Sequence, residues 1–388
     1  MKNNWQQVKL GSVLEKMEGG GTPSKAVSEY WDGKIPWATV KDITKFNPKD
    51  TQDHISEEGL KNSSARLISK GTLITPTRMA LGNIVSFDVD VAINQDLKAL
   101  YPVKDLQKEF LYYWFQHKSE YIKRLGNGST VDGIPQNELK AIKFNKPPFS
   151  EQNRIVAVLE TWDEVIEKLT RKIELKKQVK KGLMKKLLTG GMRLPGFIDQ
   201  WKSVKVSEIS QINPKNIKLP HSFIYIDLDS VEKGTLKRER QIILDSAPSR
   251  AQRVLQRGDI LFQMVRPYQK NNLYFNKEGI YVASTGYAQI RLDDSSQYLY
   301  YILHTNEFVN KVLDKCTGSN YPAINSSDLS NIKIPWPSKE ERLAIADVLT
   351  TSDKEIELLE NKLQQIKQQK KYLLNNLITG AIRTPETL

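Results

Sequence analysis

L187LTGGMRLP195 carries two leucines, a Thr-Gly pair, an arginine and a proline, which together read as a helix brought to a stop. The chain closes on L377ITGAIRTP385, where leucine, threonine, glycine, arginine and proline return in the same places, with Gly190 and Gly380 lying 190 positions apart. Sliding the sequence on itself by that offset aligns G128STVDGIPQNELKAIKFNKP147 with G318SNYPAINSSDLSNIKIPWP337, and the match runs without a gap to Pro195 and Pro385. Upstream the offset drifts, as loop insertions make it do. W5QQVKLGSVLEK pairs with W201KSVKVSEISQI at 196, I35PWATVKDI with F223IYIDLDSV at 188, K70GTLI with R257GDIL at 187, Arg78 with Arg266, and His117 with His304 at 187. The chain is a tandem repeat of one plan.

Each copy changes texture halfway. The first half holds short alternating or apolar runs, such as Gly71-Thr-Leu-Ile74, Ile84-Val-Ser-Phe87, Ile260-Leu-Phe262 and Ile280-Tyr-Val-Ala283, separated by Gly, Pro, Asn and Asp. One helix interrupts each, around Glu109 to Leu125 and Gln297 to Leu313, so an α+β domain of about 140 residues is expected in each copy. The second half is one long helix starting after Pro147-Pro148 or after Pro335-Trp-Pro337. Apolar residues recur at three and four: Ile155, Val158, Trp162, Ile166, Leu169, Ile173, Leu183 and Leu187, then Ile345, Val348, Ile356, Leu359, Leu363, Ile366, Leu373 and Leu377. That period predicts a coiled-coil seam over about 40 residues, a rod of roughly 60 Å. Two helices of equal length and register can bury their seams on each other and hold the two mixed domains at a fixed separation. Lys176, Lys180, Ser352 and Lys370 occupy seam positions and are expected to weaken it locally or to set its register. The organisation predicted is a first domain over 1–146, a helix over 147–190, a linker over 191–200, a second domain over 201–336, a second helix over 337–380 and a tail over 381–388.

A length of 388 residues calls for two or more domains. Lys and Arg total 58 against 45 Asp and Glu, a net charge of +13 with a pI near 9.4, which favours a polyanionic partner. No apolar run approaches the roughly 20 residues of a membrane span, and MKNNWQQVKL has no apolar signal region, so no membrane and a cytoplasmic location are expected. The single cysteine, Cys316, excludes a disulfide framework or a Cys-rich zinc site.

Catalytic patterns are missing. G19GGTPSK25 lacks the spacing of a phosphate loop, and N145KPPF149 departs from an amino-methyltransferase loop and has no G-x-G cofactor loop to accompany it. Glu174-Leu-Lys176 and Glu360-Asn-Lys362 have nuclease-like spacing but lie inside the rods, and His54, His117, His221 and His304 show no ligand spacing. No metal site and no catalytic site are expected. What remains is polar and basic residues on loops: Thr22, Ser24, Lys25, Arg78, Asn94, Gln95, Ser129 and Thr130 in the first copy, with Arg250, Arg253, Arg266, Ser284, Thr285, Ser319, Asn320 and Tyr321 in the second. Arginine reads guanine and Asn or Gln reads adenine in the major groove, while Lys, Ser and Thr mostly hold phosphates. Matching places with differing chemistry are what two domains reading different DNA sequences would show.

These residues resemble the specificity subunits of type I restriction-modification systems over the whole chain. The resemblance rests on W5xxVxLG with G20GTPS24 and I35PW37, the degenerate echo at Trp201, the helix starts at Pro147-Pro148-x-Ser150-Glu151-Gln152 and Pro337-Ser338-Lys339-Glu340-Glu341, and the two L-[LI]-T-G exits. It implies an α+β fold with two tandem pseudo-symmetric target recognition domains, each reading half of a split DNA site, separated by two long helices in an antiparallel coiled coil that sets the gap and docks modification subunits. A non-catalytic chain with no cofactor of its own is implied. Two modification (methyltransferase) subunits using S-adenosylmethionine for adenine N6 methylation, and restriction (translocase/endonuclease) subunits using ATP and Mg, are the implied partners beside double-stranded DNA. Half-sites about one helical turn, roughly 34 Å, apart suit that plan. G318SNYP does not preserve Thr130 and Val131, and Ile212-Asn-Pro-Lys215 replaces the Gly-rich loop of the first copy. Two other readings remain open. A structural coiled-coil adaptor with protein-binding domains predicts no salt-dependent DNA affinity, and a self-sufficient DNA methyltransferase predicts that the chain alone binds S-adenosylmethionine.

Overall fold

A computed structural model describes residues 4–126, 133–215, 218–318 and 320–385. The chain forms two compact units, Met1–Leu169 with Lys362–Leu388, and Thr170–Asn361. Each unit therefore holds one mixed α+β domain, the first part of one long helix and the last part of the other.

In the first unit, β1 (Gln6–Lys9) pairs antiparallel with β10 (Lys143–Lys146). One four-stranded sheet runs in the order β2 (Leu14–Gly19), β9 (Leu97–Pro102), β6 (Leu73–Pro76), β7 (Val85–Ser86). A second runs β4 (Asp53–Ile55), β3 (Trp31–Ala38), β8 (Val91–Ile93), β5 (Arg66–Ile68), with β3 and β8 parallel. The helices are α1 (Val40–Thr44), α2 (Glu57–Lys61), α3 (Lys108–Gly126), α4 (Gln136–Ala141) and α5 (Phe149–Leu187). Helix α3 buries Phe110, Leu111, Trp114, Phe115 and Ile122, a stripe at helical spacing, in one core with Ile155 and Leu159 of α5 and Leu377.

The second unit repeats the plan. β11 (Lys202–Lys205) pairs with β22 (Lys333–Trp336). One sheet has the order β12 (Gln211–Ile212), β21 (Tyr287–Arg291), β18 (Ile260–Gln263), β19 (Leu273–Tyr274). The other has β16 (Arg240–Ile243), β13 (Ser222–Ile226), β20 (Tyr281–Ser284), β17 (Ala251–Val254), again with one parallel pair, β13 with β20. A hairpin of β14 (Val231–Glu232) and β15 (Thr235–Leu236) has no counterpart among the described residues of the first unit. The helices are α6 (Val206–Ile209), α7 (Ser296–Leu303), α8 (Asn306–Leu313), α9 (Ser326–Ser330) and α10 (Lys339–Thr379).

The single helix expected over Gln297 to Leu313 is two helices. Thr305 takes an extended backbone (φ −67°, ψ 148°) and its side chain accepts from the Phe308 N–H, capping α8 and breaking the run. The pairing of His117 with His304 also needs correction. Tyr112-Tyr113 in α3 and Tyr300-Tyr301 in α7 fill matching places, because Tyr113 donates to Asp163 and Tyr301 to Asp353, both at 2.7 Å. His117 therefore answers to Thr305 and His304 to Gln116.

All sixteen apolar seam positions are buried or half-buried, from Ile155 at 0% exposure to Leu363 at 9% among the buried ones. A fully buried leucine or isoleucine contributes about 2 kcal/mol. The helix segments in each unit run antiparallel: Glu151 and Asp163 meet Arg383 and Lys370 in the first, while Lys176 and Lys180 meet Glu355 and Asp353 in the second. Three of the four polar seam residues are thus charge partners across the seam. In both units one pattern recurs, a tyrosine from the domain donating to an aspartate that also pairs with a lysine from the facing helix. Lys370 lies 5.3 Å from the Tyr113 ring centroid and Lys180 lies 5.4 Å from that of Tyr301. Burial, then the neighbouring aspartate, pushes both phenols above their ordinary range.

The two tags close their helices as the sequence implies, with Gly190 at φ +73° and Gly380 at φ +75°. Bonds from Met192 N–H to the Lys186 carbonyl and from Ile382 N–H to the Asn376 carbonyl, both 3.1 Å, complete the turns. The arginine of each tag then does something the spacing did not disclose. Arg383 forks onto Glu151 at 2.5 and 2.6 Å, and the Trp5 indole donates to the same carboxylate at 3.0 Å. Arg193 forks onto Glu341 at 2.6 and 2.7 Å, with Trp201 donating at 2.9 Å. Each arginine also lies 5.4 Å from its tryptophan ring. One clasp in each unit joins the start of one long helix, the end of the other and the domain's opening tryptophan.

Candidate nucleic-acid interface

In the first unit β2 ends at Gly19, and Gly20-Gly21 after it run against the end of β8. A Cβ on Gly20 would sit 1.7 Å from the Ile93 carbonyl oxygen, and the Gly21 N–H donates to that oxygen at 3.0 Å. These glycines are demanded by close backbone approach and leave no cradle for a phosphate. The indoles of Trp37 and Trp31 pin the loop through the carbonyls of Gly21 and Ser24, each at 3.1 Å. Thr22 is thereby placed to donate to the Gln95 side chain at 2.7 Å, while Ser24 and Lys25 are exposed beyond it.

Asn94-Gln95-Asp96 is the turn from β8 to β9. Asn94, 6% exposed, bonds both the Asp96 carboxylate (3.2 Å) and the Asp96 N–H (3.1 Å), so its amide is engaged in the turn. Gln95 is exposed, and exposed Arg78 has Nη1 3.9 Å from Asp96. Lys98 joins the group by donating to the Gln95 carbonyl at 2.7 Å. Burial, then the Arg78 charge, lowers its pKa against the pull of Asp96. Thr22, Arg78, Asn94 and Gln95, far apart in sequence, are brought together around Asp96 and Lys98. The last two carried no sequence signal beyond polarity.

The second unit places Ser284-Thr285 at the equivalent turn. Ser284, 4% exposed, accepts from the Gly286 N–H at 3.1 Å, and the Thr285 N–H donates to the Arg250 carbonyl at 2.8 Å. The Arg250 side chain is exposed. Arg253 lies on β17, half-buried, its Nε–H without an acceptor among the described residues, and burial lowers its pKa. Arg266 stacks on Tyr321, 4.2 Å from the ring centroid, and its Nε–H likewise has no acceptor among the described residues. Tyr321 is 64% exposed and Asn320 is exposed beside it. Ser129, Thr130 and Ser319 lie outside the described residues.

Strand register corrects one pairing between the copies. Pro76 faces Leu97 where Gln263 faces Tyr287, and the Ile134 N–H donates to the Thr77 carbonyl where the Ile324 N–H donates to that of Met264. The next residues, Arg78 and Val265, bridge Gly133 and Ala323. Arg78 therefore answers to Val265, and Arg266 answers to Met79. Two arginines one position apart look aligned in sequence because the local offset, 187, differs from the 188 of β3 and β13.

Exposed arginines, hydroxyls, a carboxamide and an aryl plate on loops held by sheets can donate to phosphates and base edges. Among the described residues no three His, Cys, Asp or Glu side chains converge as a metal site would require, and no helix is long and apolar enough to cross a membrane.

The model of the type I restriction modification DNA specificity domain matches residues 2–177 and again 198–368. A type I restriction enzyme specificity subunit, MjaIX, of Methanocaldococcus jannaschii is 25% identical over 99% of this chain and 94% of its own. Two solved structures share the fold. The type I restriction-modification S subunit from M. genitalium has a TM-score of 0.58, 16% identity and 97% of each chain covered. A chain in a structure of complex assembly and conformational transition of the type I R-M system has a TM-score of 0.61 and 22% identity, over 97% of this chain and 98% of that one.

Proposed function

The chain belongs to the type I restriction-modification DNA specificity family, as a specificity subunit, and from that premise we propose that each of its two α+β domains reads one half of a bipartite DNA site. The observation that carries this reading is the contrast between what the two units share and what they do not. Sheet orders, clasps and Tyr-Asp-Lys groups recur residue for residue, whereas the loop chemistry has parted: Thr22, Arg78 and Gln95 in one, Arg250, Arg253, Arg266 and Tyr321 in the other. A common frame with exchanged loops suits two different half-sites. Asn94 and Ser284 serve by holding their turns.

The long helices set the gap and dock two modification subunits. K177QVKK181 and K367QQKK371 support this. Lys180 and Lys370 turn to the facing helix, and Lys177 pairs with Glu360 there, while Gln178 and Lys181, like Gln368 and Lys371, are exposed, so two copies of one partner would meet the same chemistry twice. The chain contributes no catalytic group. Methyl transfer from S-adenosylmethionine, and ATP- and Mg-dependent work by restriction subunits, belong to the partners, acting with it in the cytoplasm.

Coexpression with the modification subunit of the same locus tests this reading. Methylation-aware sequencing should show two half-sites with a fixed gap; a continuous motif, or no methylation, would sink it.

A further inference from the structure

We propose that the first left-handed residue following β6 and β18, Met79 in the first domain and Arg266 in the second, is the position through which each domain discriminates a base. The proposal rests on the half-site reading above and names the residue that does the reading.

The two residues are structurally equivalent although the two arginines, Arg78 and Arg266, look like the pair in sequence. Met79 has φ +49° and Arg266 φ +54°, a backbone region that L side chains avoid because Cβ crowds the carbonyl oxygen. Glycine would relieve that crowding, and glycine stands at the turns that precede these strands. Gly71 and Gly258, preceding the same two strands, adopt φ +79° and +95°. At 79 and 266 both copies keep a side chain in spite of the strain, and the side chain differs. Retained geometry with exchanged chemistry marks a position selected for what it presents, and such strain gathers at functional sites.

What is presented fits base recognition. Met79 is 67% exposed, a thioether held out beside the exposed Arg78. An apolar tip of this kind meets the C5 methyl of thymine in the major groove. Arg266 is stiffened by its stack on Tyr321, leaving its fork to bond guanine O6 and N7. The first half-site is therefore expected to contain a thymine read by Met79 and the second a guanine read by Arg266.

The test uses the full chain coexpressed with its modification subunit, methylated positions being read by sequencing. Met79→Arg and Met79→Gly should each alter one base of the first half-site and leave the second intact. The glycine variant suits a positive φ, so the loop should keep its shape. Arg266→Ala and Arg266→Lys should relax one guanine of the second half-site by about ten-fold or more and leave the first intact, since lysine lacks the fork. Unchanged half-sites in all four variants, or a loss of methylation spread over every sequence alike, overturn the proposal while the bipartite reading stands. A wild-type complex without a bipartite pattern overturns both.

Discussion

At the scale of single residues, the two clasps show how far one side chain can act. Glu151 is 3% exposed and takes three charge-assisted or indole bonds. Burial alone would raise its pKa, but the bonds from Arg383 and Trp5 outweigh it, and the carboxyl stays below its ordinary range. Arg383→Ala would strand that carboxylate, and a loss of about 3 kcal/mol is expected in urea denaturation, with Arg383→Lys restoring only part because lysine lacks the fork. His304 gives a second handle. Burial, then the charges of Lys270 and Lys180, depress its pKa, with Nδ1–H donating to the Tyr300 carbonyl at 2.7 Å. A histidine whose folded pKa lies below its unfolded value of about 6.5 favours folding above that pH and penalises it below. Thermal stability should therefore fall as pH drops from about 7 toward 5, and His304→Gln should make that slope shallower, leaving the share of His117, which burial depresses in the same direction.

Among the elements, the long helices are decided by their exceptions. An all-leucine seam would bury more apolar surface but would accept more than one alignment. Lys370 with Asp163, and Lys180 with Asp353, are satisfied only when one antiparallel register also brings Tyr113 and Tyr301 into reach. A double-mutant cycle on Asp163 and Lys370 should return a coupling of about 1 kcal/mol, measured by denaturation. Replacing both by leucine should cost about 1–3 kcal/mol, because the buried Tyr113 hydroxyl then loses the acceptor that Asp163 provides. The same replacement should lower the yield of assembled methylating complex, read by size-exclusion chromatography. The helix period was plain in the sequence, and so were the lysines that interrupt it. Their partners were not, because a period says which residues share a face and nothing about what faces them. The break in the second domain's helix at Thr305 was missed for a related reason: an apolar stripe can pass straight through a cap whose only mark is one hydroxyl.

On the scale of the whole molecule, duplication makes the recognition domains exchangeable in principle, and the clasp limits how. Exchanging residues 1 to 146 for the corresponding domain of a relative should change one half-site only, read by methylation-aware sequencing; a change in both would refute modular recognition. The exchanged segment carries Trp5 but not Glu151 or Arg383, so a donor lacking that tryptophan should give a chimera less stable than one that keeps it. The sequence by itself determined the tandem plan and the two helices with their seams and stops, because periodicity, proline and glycine act over a few neighbours and leave their mark in linear order. Only the tertiary structure decided which of the repeated residues meet. It turned the tag arginines to the start of the other helix, engaged Asn94 within its turn, and set Arg266 opposite Met79 rather than Arg78. Strand register and side-chain contact depend on loop lengths that differ between the copies, and no single offset along the chain can encode them.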